Sequence, residues 1–437
     1  MIDKATRRDF LRRTATVATG AMILPQIIPS TAMGMGGKLP PSDRIVMGAI
    51  GLGGMGTGNM SNFLRQAKDV QFVAVCDVDT KHSVNAKRII DEFYKNSDCR
   101  IYGDYRDFLE KEKLDAVTIA LPDHWHGLIY TAAANKKIDI YGEKPLARTI
   151  HDSQAIVSAV KKNNIVWQTG SWQRSVENFR RGAELVINGR IGKISRVEVG
   201  LPDGGKGIGT PPVTEVPAEL NWEMWLGPAP KVPFRGVYHG NWCWILDYSG
   251  GQLTDWTGHH IDIAQWGLGT DRTGPVVFAG EGVYPRDGIY NAPVEYDFLC
   301  RYADGIWMRV ANASRLRFGM GTTWYGEKGW IHVDRGDVLR SSDPNVLKEV
   351  IGENEIHLYK SNDHHRNFLE CVKSRAETAA PAEIAHRSIS IGLLGEIAMT
   401  TGQKIFWNPE KQEIIGDPVA SRLLSRPYRL PWNLPTI

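Results

Sequence analysis

Residues 44–56 read RIVMGAIGLGGMG, in which an apolar run rich in β-branched residues leads directly into a glycine-rich turn. The run predicts a buried strand, and the apolar pattern from Met60 onward predicts a helix after the turn. Gly51, Gly53 and Gly56 fall at G-x-G-x-x-G spacing between the two elements. The first glycine permits a tight turn, the second lets the backbone approach a pyrophosphate, and the third allows close packing of strand and helix. Together with the helix N-terminus, this pattern predicts a dinucleotide site made by Gly51, Gly53, Gly54, Met55 and Gly56.

The next apolar segment, Val70–Cys76, ends at Asp77, which lies 26 residues after Gly51. An acidic side chain at this strand end can accept hydrogen bonds from ribose hydroxyls, and it repels a 2′-phosphate. Asp77 therefore favours NAD over NADP as the cofactor. The alternative interpretation is a tight turn with an incidental aspartate.

Apolar segments continue to alternate with helical patterns. Residues 116–121 and 138–141 predict two further strands, with a helix over 125–134 between them. Strands separated by helices predict a parallel, doubly wound sheet, and ligands of such sheets bind at the carboxyl ends of the strands. Two loops with unusual side chains leave those ends, Pro122–His126 and Gly142–Pro145.

The pattern changes after residue 168. A helix over 178–188 is followed by strand-like runs separated by turn signals, and helical patterns return at 364–374 and 385–400. The strand-like runs are 194–199, 276–283, 296–301, 306–311 and 329–333. We therefore expect an α/β dinucleotide-binding domain over 43–168, then an α+β substrate-binding and oligomerisation domain over 169–437. The sheet of the second domain is expected to be large, mostly antiparallel and open on one face.

The N-terminal residues predict an export signal. Residues 6–12, TRRDFLR, resemble a twin-arginine signal, and an apolar stretch over 14–24 leads to a small-residue cleavage site at Ser30-Thr31-Ala32. The stretch is too short to span a bilayer, which takes about 20 residues. We expect a signal peptide over 1–32, the twin-arginine translocation machinery as a partner, a periplasmic location and no stable membrane anchor. The alternative is an amphipathic helix with a fortuitous arginine pair.

Charge and cysteine usage exclude other classes of protein. The 437 residues carry 52 Lys and Arg against 49 Asp and Glu, and five of those basic and two of those acidic residues lie in the first 32 positions. The remainder has no net charge, which argues against nucleic acid as a partner. Five scattered cysteines without a C-x-x-C pair indicate neither a disulfide framework nor a thiolate metal site.

Residues 250–260, GGQLTDWTGHH, carry the predicted catalytic base. Asp255 and His259 are four residues apart, so on a helix the carboxylate would lie beside the imidazole and stabilise its charged form. Such an imidazole can take a proton from an alcohol, and Lys144 can donate a hydrogen bond to the reacting oxygen. The alternatives are a structural Asp–His pair and a metal site with His260. Adjacent histidines diverge by about 100° on a helix, so we predict no metal.

These motifs together resemble those of the Gfo/Idh/MocA oxidoreductases over nearly all of the chain after residue 43. The resemblance rests on the glycine-rich turn, Pro122-x-x-x-His126, Glu143-Lys144-Pro145 and Asp255-x-x-x-His259. It implies a Rossmann domain with Pro122, His126 and Glu143 at the cofactor, and Lys144, Asp255 and His259 as the catalytic set. It also implies a homodimer or homotetramer that covers the open sheet. Ser249 stands where the family often has a third glycine.

Tryptophans gather in the middle of the chain, where their flat faces could pack on sugar rings. Packing in the core explains most of them. Trp125, Trp172 and Trp244 are the candidates for substrate contacts, with Arg174 and His260 as polar neighbours.

The predicted function is an exported NAD-dependent oxidoreductase that acts on a secondary hydroxyl or keto group of a sugar, cyclitol or glycoside. Because no free NAD pool is expected outside the cytoplasm, the cofactor would be held tightly and regenerated in place. One alternative is a redox-neutral, NAD-dependent glycoside hydrolase that acts through a transient keto-sugar. Another is a non-catalytic sugar-binding protein, against which the intact set of Lys144, Asp255 and His259 argues.

Overall fold

Two β-sheets dominate the part of the chain that the structure, a computed structural model, describes, namely residues 44–66, 68–236 and 238–434. The predicted signal peptide, 1–32, lies outside these residues. The strands are β1 (Ile45–Ile50), β2 (Val70–Cys76), β3 (Arg100–Tyr102), β4 (Ala116–Ile119), β5 (Asp139–Gly142), β6 (Trp167–Thr169), β7 (Ile194–Leu201), β8 (Val277–Val283), β9 (Glu295–Arg301), β10 (Trp307–Asn312), β11 (Gly321–Gly326), β12 (Gly329–Asp334), β13 (Val338–Ser341), β14 (Ile405–Asn408) and β15 (Glu413–Ile414).

Helices cover or connect these strands. They are α1 (Gly54–Arg65), α2 (Thr80–Tyr94), α3 (Tyr105–Lys111), α4 (His126–Asn135), α5 (Ile150–Asn163), α6 (Glu177–Ile187), α7 (Trp222–Leu226), α8 (Tyr238–Asn241), α9 (Gly251–Trp256), α10 (Asp262–Leu268), α11 (His364–Ser374), α12 (Ala382–Thr401) and α13 (Pro418–Arg422). A π-helical turn, Thr257–Ile261, joins α9 to α10. No helix in the described part of the chain is long and apolar enough to cross a membrane.

The first sheet is parallel throughout, with strand order β3-β2-β1-β4-β5-β6. The order reverses at β1 and β4, so the carboxyl ends of these two strands flank the crevice in which doubly wound sheets bind ligands. β4 and β5 are buried at every position because helices cover both faces. The doubly wound parallel domain predicted from the sequence is confirmed.

The second sheet has nine strands in the order β13-β12-β11-β7-β10-β9-β8-β14-β15. All its pairs are antiparallel except β7 with β10. The predicted, mostly antiparallel sheet is therefore confirmed. β9 alternates between buried and less buried residues along its length, as expected of a strand with one face on the core. The sequence did not predict β11 and β13, which pair with β12 on either side.

C-terminal helices return to the first half of the chain. Phe368 of α11 packs against Phe63 of α1 with ring centroids 5.8 Å apart. Glu396 of α12 accepts two hydrogen bonds, at 2.7 and 2.9 Å, from Arg148, which precedes α5. These contacts tie the C-terminal segment to the first sheet and fix the second sheet beside its ligand-binding edge.

Two glycines of α1 test how the turn is packed. A Cβ on Gly56 would lie 1.8 Å from the carbonyl oxygen of Gly51, whereas a Cβ on Gly58 would meet nothing within 4 Å. We expect Gly56→Ala to lower the free energy of unfolding by about 2 kcal/mol or more, because the turn must open to admit the methyl group. The matched control Gly58→Ala should be neutral or stabilising by up to about 1 kcal/mol. Urea unfolding of both variants measures the difference, and equal stabilities would contradict this packing.

Candidate active site

A cavity of about 480 Å³ opens at the carboxyl ends of β1 and β4. Its walls come from the glycine-rich turn, the ends of β2, β4 and β5, and the second domain. The lining residues that bear on function are Gly51, Gly53, Gly54, Met55, Gly56, Asp77, His82, Pro122, Trp125, Glu143, Lys144, Trp225, Trp242 and Asp255. The cavity thus brings the predicted cofactor residues, apart from His126, together with Lys144 and Asp255, whereas His259 is not among the residues that line it.

The glycine-rich turn fits a dinucleotide. Gly51 has a φ of +78°, and a Cβ there would lie 2.1 Å from the carbonyl oxygen of Ala120, so this position requires glycine. Gly53 and Gly54 face open space, since a Cβ on either would meet nothing within 4 Å. α1 begins at Gly54 without an acidic residue in its first turn. The open backbone and the helix N-terminus together suit the negative charge of a pyrophosphate.

Asp77 lies at the cavity wall with its side chain nearly buried. Its carboxylate accepts hydrogen bonds from the backbone N–H groups of Leu52, at 2.6 Å, and Asp79, at 2.8 Å. The neighbouring His82 lies 3.5 Å from the same carboxylate, and this contact raises the pKa of the imidazole. Asp77 therefore braces the glycine-rich turn and places negative charge beside it.

The loop after β4 is held by backbone contacts. Trp125 lines the cavity, and its indole N–H donates to the carbonyl of Trp225 at 2.9 Å. His126 is fully buried, and its ring nitrogens lie 2.7 Å from the carbonyl of Pro145 and 3.0 Å from that of Leu121. The imidazole thus ties the loop after β4 to the loop after β5, and it does not line the cavity.

The loop after β5 carries Glu143, Lys144 and a cis peptide bond between Lys144 and Pro145. Glu143 is buried and accepts a hydrogen bond from the side-chain amide of Asn59 at 2.8 Å. Burial raises the pKa of its carboxyl group. Glu143 thereby anchors the loop to α1.

Lys144 and Asp255 form an ion pair across the two domains, with Nζ 2.6 Å from Oδ1. The Lys144 side chain is 13% exposed and that of Asp255 is 34% exposed. Burial lowers the pKa of Lys144, but the charges of Asp255 and Glu143 outweigh it, so the pKa is raised overall. The lysine therefore carries a proton at neutral pH and can donate it, or a hydrogen bond, to an oxygen in the cavity.

His259 lies within the π-helical turn that follows Asp255. The turn is wider than an α-helix, so residues four apart no longer stand directly above each other. The structure gives no hydrogen bond between Asp255 and His259, and Nδ1 of His259 is buried without a partner among the described residues. Burial, then the cations Lys144 and Arg335, hold the pKa of His259 well below its usual range. The ring is therefore neutral, and the lowered pKa makes it a weaker proton acceptor than an ordinary imidazole; Asp255 does not orient it as we predicted.

Arg335 joins this group from the turn between β12 and β13, which the sequence did not single out. Its guanidinium lies 4.8 Å from the ring centroid of Trp172 and 4.2 Å from that of Trp256. Both rings also contact His259, with centroids 6.2 and 5.4 Å away. A single arginine in a turn carries no sequence signal that could have found it.

Trp172 is 39% exposed and stands beside His259, but it is not among the residues that line the cavity. Trp244 packs on Gly205 of the extended loop after β7 and does not line the cavity. Trp172 and Trp244 were both predicted to contact the substrate.

Arg174 and His260 are buried away from the cavity. Arg174 donates to Asp262 at 2.6 Å and to Asp271 at 3.2 Å, so its charge is already neutralised. His260 is completely buried, and burial together with the charge of Arg335 lowers its pKa to about 3. Neither side chain can contact a substrate in this arrangement, which corrects the sequence-based expectation for both.

Asp123 is a buried carboxyl group next to this site. It accepts a hydrogen bond from the hydroxyl of Ser249 at 2.6 Å. Burial raises the pKa of Asp123 to about 7, with the Ser249 hydrogen bond opposing the shift and the charge of Asp255 adding to it. Ser249, which departs from the family's glycine, therefore links the start of the Asp255 segment to the loop after β4.

Comparison with known proteins identifies the class. Two models of one oxidoreductase family match the chain. The model of the NAD-binding Rossmann fold matches residues 45–171, and the model of the C-terminal alpha/beta domain matches residues 205–434. The protein belongs to this family, Gfo/Idh/MocA, and its first domain binds NAD.

Individual proteins that resemble this chain share few identical residues with it. The myo-inositol 2-dehydrogenase of Thermotoga maritima is 24% identical over 388 residues, which cover 85% of this chain and 99% of the relative. The glycosyl hydrolase family 109 protein 2 of a Shewanella strain is 28% identical over 168 residues, 36% of this chain and 37% of the relative. The WlbA dehydrogenase of Bordetella pertussis, solved with NADH and UDP-GlcNAcA, shares the fold with a TM-score of 0.61 at 16% identity, over 84% of this chain and 99% of that one.

The pKa of Asp123 predicts how stability changes with pH. Its folded pKa of about 7 lies above the ordinary value of 3.8, so the stability that its proton contributes is lost as the pH rises through 7. Between pH 5.5 and 8.5 we expect the wild type to lose about 2 kcal/mol through this group, and Asp123→Asn to remove that loss. Urea unfolding at both pH values measures this loss.

The control is Asp203→Asn, because Asp203 also accepts a hydrogen bond from a serine, Ser314, but is exposed. Parallel pH profiles for wild type and Asp123→Asn would contradict the prediction.

Proposed function

We propose that this protein is an exported, NAD-dependent oxidoreductase that oxidises or reduces a secondary hydroxyl or keto group of a sugar, cyclitol or glycoside. The observation that carries the proposal is the Lys144–Asp255 ion pair at the wall of the cavity that also contains the glycine-rich turn. Activity on a cyclitol is supported by the relative named myo-inositol 2-dehydrogenase.

The geometry assigns separate roles to three side chains. Lys144 holds a proton on Nζ and can bind the reacting oxygen of the substrate. Asp255 keeps that ammonium group in place and charged. His259 is neutral and close to both, so its imidazole can accept the hydroxyl proton during oxidation or return it during reduction. Gly51–Gly56 and Asp77 would hold NAD, which would supply the acceptor or donor of hydride.

Export bears on how the cofactor is used. The twin-arginine-like motif at residues 6–12 supports translocation of a folded protein with NAD already bound. A cofactor that does not exchange must be regenerated in place, by reduction of a second carbonyl compound or by a redox-neutral cycle. The resemblance to the family supports assembly as a homodimer or homotetramer through the open face of the second sheet, on which Leu299 is 48% exposed.

A redox-neutral glycoside hydrolase is the second candidate, favoured by the partial similarity to a glycosyl hydrolase family 109 protein. Transient oxidation of a sugar hydroxyl would acidify the adjacent C–H, permit elimination of the leaving group, and be reversed after hydration.

The purified exported form distinguishes these functions. It should carry bound nicotinamide, and it should be incubated with monosaccharides, inositols and aryl glycosides. Formation of NADH, or of a keto product with an added acceptor, is the expected result. Release of the aglycone without net NADH would favour the hydrolase, and protein without nicotinamide that exchanges NAD rapidly would refute tight retention.

Replacing Lys144 tests its role directly. We expect Lys144→Met to lower kcat about 100-fold or more, because the reacting oxygen loses its charged hydrogen-bond donor, while NAD stays bound. Lys161→Met is the matched control, since Nζ of Lys161 also lies 2.6 Å from a carboxylate, that of Glu383, but its side chain is 66% exposed. Steady-state kinetics and the absorbance of bound nicotinamide give the two readouts. A kcat for Lys144→Met within about threefold of the wild type would exclude a catalytic lysine.

A further inference from the structure

We propose that Arg335 is a specificity-determining residue that binds an anionic substituent of the substrate, so that the natural substrate is a sugar acid or a glycoside bearing a carboxylate. The proposal rests on the proposed function and adds to it the chemical class of substrate.

The first observation is that Arg335 forms no ion pair with any described residue, and that the charges of Asp334 and Asp255 act on it only from beyond contact distance. No ion pair or side-chain hydrogen bond joins its guanidinium to any described residue, and its Nε is buried without a partner. Asp334 is adjacent in sequence, but its carboxylate accepts from the backbone N–H of Arg335 and lies 3.5 Å from Nε2 of His260. An unpaired, half-buried cation is costly, and arginines in such places are normally paired.

The second observation is the way in which the guanidinium is held. Trp172 and Trp256 each lie within 5 Å of it, at 4.8 and 4.2 Å from ring centroid to Cζ. Cation–π contacts of this kind restrict the guanidinium without pairing its charge with an anion, so its terminal N–H groups remain able to donate. A guanidinium fixed in this way is preorganised to bind a carboxylate through two parallel hydrogen bonds.

The third observation is the position of Arg335 next to the reacting groups. The two tryptophans that hold it also contact His259, and its charge acts on both His259 and Asp255. A substrate whose hydroxyl lies at His259 could therefore also place an anionic substituent at Arg335. A cation–π contact with only a structural role would not need to lie beside the proposed reacting groups.

Matched substrates test the proposal in the NAD-loaded protein. Glucuronate, galacturonate and their methyl glycosides are compared with glucose, galactose and the corresponding neutral methyl glycosides. Binding is measured by calorimetry, and hydride transfer by the absorbance of NADH. We expect at least one acid to bind about tenfold or more tightly than its neutral partner, as one charge-assisted pair allows.

Substitutions of Arg335 then test whether this residue causes the preference for the acid. Arg335→Met keeps an apolar stem beside the tryptophans and should abolish the preference for the acid over its neutral partner. Arg335→Lys should retain part of it, because the charge remains without the planar fork. Arg317→Met is the matched control, since Arg317 also lies over an aromatic ring, that of Phe318 at 4.9 Å, but is exposed.

The outcomes are distinguishable. Equal binding of acid and neutral partners by the wild type, or a preference that survives in Arg335→Met, would overturn the role of Arg335. Selective binding of an acid that Arg335→Met abolishes, without hydride transfer to any substrate, would uphold the anion site and refute the proposed oxidoreductase activity.

Discussion

The ion pair between Lys144 and Asp255 is the contact on which the candidate site depends. It joins a loop that leaves the parallel sheet to a helix of the second domain, and so fixes the distance between the cofactor-binding turn and the groups that face it. A partly buried pair is not in itself a large source of stability, because both charges lose some of their water. Removing one partner, however, leaves the other uncompensated. The pair is better understood as a device that sets the charge and position of one ammonium group.

Burial, and after it the charge on Lys144, determines the state of the neighbouring imidazole. His259 is buried close to Lys144 and Arg335, and the resulting low pKa keeps its ring neutral. A carboxylate bonded to His259 would have raised that pKa instead. Because Asp255 pairs with Lys144, the site separates two functions. The ammonium group of Lys144 is a charged hydrogen-bond donor, and the imidazole of His259 is a neutral acceptor. This division suits an alcohol and a ketone that interconvert, since both forms meet a fixed donor.

The sequence predicts the parts of the structure that local chemistry determines. The glycine-rich turn, Lys144 before a proline and the strand periods each depend on a few adjacent residues, and the structure places Lys144 and Asp255 at one cavity as the motifs suggest. Prediction from the sequence fails where a contact depends on tertiary geometry. The π-helical turn changes the relation of Asp255 to His259, although their spacing is that of an α-helix. Arg335 reaches the site from a turn far along the chain, and nothing in its neighbourhood marks it.

The contrast between two arginines shows why residue type alone could not identify the substrate contacts. Arg174 and Arg335 both lie over tryptophan rings, the former 4.9 Å from Trp266. Arg174 is saturated by Asp262 and Asp271, so its charge serves the core of the second domain. Arg335 has the same aromatic support but forms no ion pair among the described residues, and Asp334 and Asp255 act on it only from beyond contact distance. The presence or absence of a counter-ion, which only the folded arrangement reveals, separates a structural arginine from one that is available to a ligand.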